Sequence, residues 1–276
     1  MAIRKFRQHT LQIISVMNQS HREFTTYQCG KETVHDLRVS IRRLMPLIKV
    51  LIRLEDERQV VTRLKYHQQQ CKNVLKALSA PRDLEVQIRL TSSLQQSRSW
   101  PKHAKQSYTD SLYEEKARLD KEIVPTVTAM NLPESTRFFS RKMKHFSCDK
   151  ALFRETLHTL HTQLEEKLRQ SVSELKKHNE RFHQARIVLK KFRYHVELET
   201  AAGGHMTVRE SMADQAGILK QIQDHLGDTH DLSVALMMMK ARKVDRSVVR
   251  HVETLYQRHL IRSVDYLLSR EALLWK

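Results

Sequence analysis

Only ten of the 276 residues are glycine or proline, five of each, and no other feature narrows the fold as much. Average usage of the two together is roughly 12%. A many-stranded β fold needs left-handed backbone at its hairpins, which glycine adopts at least steric cost. A glycine-rich nucleotide loop is excluded on the same ground. What the chain has instead is apolar residues at helical spacing. Val60, Leu64, His67, Cys71, Val74 and Leu78 follow one another by three or four residues, which draws one stripe along an unbroken helix. The sequence predicts an all-α protein.

The few breakers divide it. They fall at Cys29-Gly30, Ala80-Pro81, Trp100-Pro101, Leu132-Pro133, Gly203-Gly204 and Gly227. Helices are expected over 3–28, 32–54, 57–79, 83–97, 102–130, 134–146, 150–177, 180–201, 206–226, 231–243 and 246–274, read from the apolar spacing together with these breakers. Pro46 lies inside the second and should kink or interrupt it.

Two motifs recur at one offset. His35-Asp36-Leu37-Arg38-Val39-Ser40-Ile41-Arg42-Arg43-Leu44 and His183-Gln184-Ala185-Arg186-Ile187-Val188-Leu189-Lys190-Lys191-Phe192 share His-x-x-Arg-aliphatic-x-x-basic-basic-apolar, 148 residues apart. Leu78 to Val86 and Leu226 to Val234 share Leu-x-x-x-basic-Asp-Leu-x-Val, again 148 apart. A duplicated helical unit explains both without a gap, with halves 1–128 and 149–276 joined by 129–148.

With His35 set at zero on a wheel of about 100° per residue, Arg38, Arg42, Lys49 and Arg53 fall within about 60° of it. Leu37, Ile41, Leu44, Ile48 and Leu51 lie opposite. In the second copy His183, Arg186, Lys190 and Arg193 form the same strip, facing away from Ala185, Phe192 and Val196. Arg43 and Lys191 stand to one side. An ordinary solvated face mixes signs so that i,i+4 pairs form, but Arg38, Arg42, Lys49 and Arg53 have no acid among them on their strip and their like charges repel. An absent anion accounts for the arrangement. The whole chain agrees, with 49 Lys and Arg against 31 Asp and Glu and a net charge of +18 before any of the 16 His are counted.

These motifs, together with Phe192-Arg193-Tyr194 and the segment from Leu226-Gly227 to Asp231, resemble the CHAD family, the conserved-histidine α-helical domains, over nearly the whole chain. The resemblance implies a single CHAD domain over 1–276, built as two four-helix-bundle-like repeats with pseudo-two-fold symmetry around a basic central pore or groove. It implies non-catalytic binding of inorganic polyphosphate and association with polyphosphate granules. The chain departs from the pattern where Met45 and Pro46 replace the arginine expected opposite Arg193, and where Ala80-Pro81 replaces the turn kept at Gly227. Those departures imply a first half-site weaker than the second or differently shaped.

Polyphosphate is a thin polyanion, and its ideal host is a row of Arg and Lys on rigid helices, forks for paired oxygens and point charges between them. Histidine adds a donor whose charge appears near neutral pH. The candidate set is His35, Arg38, Arg42, Arg43, Lys49, Lys72, His183, Arg186, Lys190, Lys191, Arg193 and Lys220, the lysines at 72 and 220 being matched by the repeat. Arg82 and His230 also match, at positions read as helix starts, and Asp83 and Asp231 are read as N-caps.

Other classes fit less well. The doublets His35-Asp36 and His230-Asp231 have the adjacency of metal phosphohydrolases, yet neighbours on a helix diverge by about 100° and do not converge on one ion. No cofactor, metal or catalytic residue is expected. Nucleic acid is the closer competitor, since any phosphate polymer is drawn to this charge, but aromatics are only 6% of the chain and only Tyr194 neighbours the strip where bases would stack. A purely structural helical adaptor would show no anion preference. No apolar run approaches the roughly 18 residues of a membrane span, and Gln12 and Ser15 interrupt the apolar patch after Arg4, Lys5 and Arg7, so the start reads as an amphipathic helix and not a signal peptide. Cys29, Cys71 and Cys148 form neither a disulfide framework nor a CxxC site, which points to a cytoplasmic location.

Overall fold

The computed structural model describes residues 2–26, 33–93, 100–203 and 209–275. Among them it is helical and has no strand: α1 (Ala2–Thr25), α2 (Thr33–Leu54), α3 (Arg58–Ala77), α4 (Ser79–Ser93), α5 (Lys102–Ala129), α6 (Leu132–Lys144), α7 (Lys150–Lys177), α8 (Phe182–Ala202), α9 (Arg209–Ala241), α10 (Arg246–Ser269) and a terminal turn, α11 (Glu271–Leu274). The start of α7 follows that of α1 by 148 residues, and the ends of α8 and α9 follow those of α2 and α4 by the same interval.

Most expected boundaries are where a backbone cause lies. Pro101 immediately precedes α5 and Pro133 sits in the first turn of α6, where a missing amide costs nothing. Gly203 ends α8 in the left-handed region, at φ 81°. Asp149 caps α7 by accepting from the amides of Ala151 and Leu152 at 2.8 and 2.9 Å. Cys29-Gly30 and Gly204 lie outside the described residues.

Three expectations are corrected. Gly227 does not separate two helices, because α9 runs through it unbroken. A mid-helix glycine costs only about 1 kcal/mol, and burial of Leu226, Thr229 and Leu232 against α10 outweighs it. It follows that Asp231 and His230 lie in mid-helix and neither caps nor begins one. Asp83 sits inside α4, so it caps nothing either. Pro46 does not interrupt α2. Its neighbours Leu44, Leu47 and Ile48 are fully buried, and three such side chains, at about 1.5–3 kcal/mol each, outweigh the roughly 3 kcal/mol that an interior proline costs.

The core has three parts. The first gathers Phe6, Ile13 and Met17 of α1 with Leu37, Ile41, Leu44, Leu47 and Leu51 of α2, the stripe Leu64, Cys71 and Val74 of α3, Phe139 of α6, and also Phe153 and Leu157 of α7 with Leu198 of α8. Burial pushes the Cys71 thiol up to about 12, so it serves as packing. The second joins Leu168 and Val172 of α7, Leu189 and Phe192 of α8, Leu219 and Ile222 of α9, and Leu260 of α10. The third joins Leu84, Tyr108 and Leu112 of α4 and α5 to Leu232, Leu236, Met239, Val248 and Val252 of α9 and α10. On the expected connector, α6 packs against α1, and Arg7 caps its C-terminus by donating to the carbonyls of Met143 and Lys144 at 2.9 and 2.6 Å.

Candidate functional site

The two motif helices, α2 and α8, pack against each other. Their apolar faces are held in the first and second parts of the core, which fixes the direction of the basic strips. Four of the expected cations then act on one another. Arg38 is buried on α2 and donates from Nη1 to the carbonyl of Leu75 at 3.0 Å and to Ser79 Oγ at 3.2 Å. Burial, followed by the charge of Arg42, pulls its guanidinium down to about 10. Arg186 on α8 is also brought down to about 10, first by burial, with Asp231 opposing and Arg42 assisting. Its Nε is buried and makes no hydrogen bond among the described residues. Lys190, one turn on, is driven to about 6 by burial and then by Arg186, Arg42 and Arg38, with Asp231 opposing.

Around these four stand their counterparts from α4 and α9. Asp83 and Asp231, the matched pair, feel Arg38, Arg82 and Arg186 and are still raised, because burial outweighs the attraction. Arg89 reaches across from α4 to Asp231 at 3.5 Å. The His183 ring lies 5.1 Å from that of His230. Burial, Arg186 and Lys190 hold His183 below its ordinary range, and the same surroundings push His230 to about 3. The two aspartates offset only part of this charge, and the group keeps an excess of cations.

A second basic group contains Lys49, Lys72 and Lys191 with Lys167 of α7. Lys49 is exposed on α2, yet loss of surrounding water and then the three neighbouring ammonium groups keep it below the usual lysine range. The remaining candidates go elsewhere. Arg43 and Arg193 both turn to Glu197, each at 3.5 Å, and Arg193 also lies 4.5 Å over the ring of Tyr194. His35 is exposed in the first turn of α2, and Lys220 is exposed on α9.

Sequence reasoning did not single out Lys167 or Arg89, which belong to neither repeated motif and come near only through packing. It also passed over His161, His195 and Glu199, whose nitrogen and oxygen atoms all lie within 4.8 Å of one another. A signal for these three was present, in the spacings His161-x-x-x-Glu165 and His195-x-x-x-Glu199. Among the described residues no helix is long and apolar enough to cross a membrane.

Comparison with known proteins agrees with this architecture. The chain is similar in fold to the CHAD domain of the plant Ricinus communis, with a TM-score of 0.71 and 15% identity over 99% of this chain and 91% of that one. It is similar as well to PptA from Streptomyces chartreusis, with a TM-score of 0.65 and 13% identity over 99% of both chains. No curated protein sequence matches it. The family model for the CHAD domain matches residues 19–240. With most of its length matched by that model and its whole length following the fold, the chain belongs to the CHAD-domain family.

Proposed function

We propose that this protein binds inorganic polyphosphate without turning it over. The polymer lies in a basic groove between two helical repeats, 1–128 and 149–276, that meet about a pseudo-two-fold axis and are joined by 129–148. One observation carries the reading. Arg38, Arg42, Arg186 and Lys190 come together from two motifs 148 residues apart in sequence, where burial and then the neighbouring charges drive one ammonium to about 6, and where Arg186 Nε is buried without a hydrogen bond among the described residues. Like charges packed this way cost stability, and a polyanion returns it by supplying the oxygen acceptors that the group lacks. Lys49, Lys72 and Lys191 continue the track, with His35, His183 and Lys220 flanking it. Arg43 and Arg193 take part by exchanging Glu197 for phosphate. In the cell such a protein would sit in the cytoplasm on polyphosphate granules.

A polymer of phosphates without bases is favoured over nucleic acid by what stands in the track. Tyr194, the aromatic neighbour, is buried and already covered by Arg193, so it offers no face for stacking. The test is a competition titration of long-chain polyphosphate against single-stranded RNA, DNA and ATP at near-physiological salt. Polyphosphate should bind tightest, with no release of inorganic phosphate. Equal or tighter binding of a nucleic acid would sink the proposal, and phosphate release dependent on a divalent metal would replace it with a hydrolase.

A further inference from the structure

The repeat interval exposes a site that the basic groove does not involve. Ile13 and Met17 of α1 and Leu47 and Leu51 of α2 are all buried, none more than 6% exposed, where those two helices pack. Positions 148 residues later hold His161, Glu165, His195 and Glu199, at the matching place between α7 and α8. Four apolar core residues in one half thus correspond to two imidazoles and two carboxylates in the other. His195 is 1% and Glu199 5% exposed. Burying such groups is costly unless they are paired or bound.

Their geometry specifies what that is. His161 donates from Nδ1 to Glu199 Oε2 at 2.6 Å. His195 Nε2 stands 3.6 Å from Glu199 Oε1 and 3.2 Å from the Leu157 carbonyl. Ligand atoms around a tetrahedral ion with bonds near 2.0–2.1 Å lie about 3.3 Å apart, and the two separations from Glu199 straddle that value. On the far side of the His161 ring, Glu165 Oε2 is 3.9 Å from Nε2. Arg169 holds Glu165 by its other oxygen, at 2.7 Å. With a metal in place of the Nδ1 proton, the imidazole would keep its other proton on Nε2, on the side of that carboxylate.

We infer that His161 Nδ1, His195 Nε2 and the Glu199 carboxylate form a binding site for one divalent first-row transition metal ion, which pins α7 to α8 where the first half uses apolar packing. Two nitrogens and a carboxylate are a borderline donor set, suited to Zn2+ and its spectroscopic substitute Co2+ and unsuited to Mg2+ or Ca2+. Each histidine binds as a neutral imidazole. His161 carries its remaining proton on Nε2 toward Glu165, and His195 carries its own on Nδ1, giving up the Leu157 carbonyl. Water completes the coordination from the side where His161 reaches the surface.

The test uses the full chain, stripped of metal with a chelator and titrated with Co2+. The wild type should develop visible d–d absorption that saturates near one equivalent and is displaced by Zn2+, and saturating Zn2+ should raise its Tm by about 5 °C. The E199Q variant, which keeps the shape but loses the anionic ligand, should bind at least about tenfold more weakly. The H195L/E199L variant restores the residue types found at Leu47 and Leu51, so it should fold, as circular dichroism would verify, and develop no band. Absence of the band in the wild type, or an equal band in H195L/E199L, would overturn the site.

Discussion

One stretch of sequence is folded two ways. In the first half, α3 and α4 meet at an elbow at Leu78, and in the second the matching stretch is the single helix α9. Pro81 marks the difference, because the matched position holds Thr229. Proline has no amide to give and its ring presses on the carbonyl four residues back. Thr229 instead keeps its amide and ties its hydroxyl to Ser263 of α10 at 2.7 Å. The elbow exposes the Leu75 carbonyl, and Arg38 bonds to it, with Ser79 as second donor at 3.0 Å. In α9 the serine is replaced by Gly227, and the equivalent carbonyl stays within the helix. Arg186, the match to Arg38, feels the charge of Asp231 instead, and its Nε is buried without a hydrogen bond among the described residues. The elbow occupies one arginine with backbone and serine, and the straight helix sets its counterpart beside an aspartate.

The largest effect should come from copying the elbow into the second half. T229P removes an amide and a hydroxyl from the middle of α9 and should cost at least about 3 kcal/mol, lowering Tm by roughly 6 °C or more in thermal unfolding. A shift below about 2 °C would mean that α9 tolerates a bend and that proline is not what sets the two halves apart.

The next effect separates the two arginines by role. R186Q/K190Q should weaken polyphosphate binding about 100-fold in an anisotropy titration, since hydrogen bonds to charged groups contribute about 1.5–3 kcal/mol each, and should leave Tm unchanged or higher as repulsion is relieved. R38Q/R42Q should weaken binding less and lower Tm, because Arg38 supports the α3 end. If both pairs lose affinity and stability alike, the division of roles fails.

The smallest effect is on pH. In the free protein Lys190 titrates near 6 because burial and the charges of Arg186, Arg42 and Arg38 outweigh Asp231, so it is largely neutral at pH 8. A bound polyanion favours the ammonium and raises that value, so binding takes up a proton. Affinity should be greatest near pH 6 and fall by about tenfold towards pH 8, as the proton becomes scarcer. His183, also held below its ordinary range, adds in the same direction. K190Q should flatten most of the profile and H35Q/H183Q a smaller part. An unchanged profile in K190Q would show that its ammonium does not meet the ligand.

The helices and the basic strips were legible because each follows from local rules. Apolar spacing set the buried faces, and prolines placed the ends at Pro81, Pro101 and Pro133. Gly227 misled because glycine ends a helix by taking positive φ, as Gly203 does at 81°, whereas a lone glycine inside an apolar stripe can also stay helical. That error displaced Asp231, and the break expected at Ala80-Pro81 displaced Asp83; the partners of both are the arginines near them and not a helix end. The tie between Arg43, Arg193 and Glu197, like the cluster of His161, His195 and Glu199, joins separate helices, so no single-helix wheel contains it. The repeat held part of that information, since comparing residues 148 apart marks where one half carries charge and the other carries leucine.

The core is divided differently from the sequence. Phe153, Leu157 and Leu198, all beyond the expected midpoint, lie in the same apolar cluster as α1 and α2, and Leu84 and Leu112 lie in one with α9 and α10. Neither half can be withdrawn without opening a core it shares. Covalent continuity between α6 and α7 is then nearly redundant: two fragments produced separately and divided near Cys148 would find each other through those exposed faces and fold together, as complementary pieces of one cooperative unit.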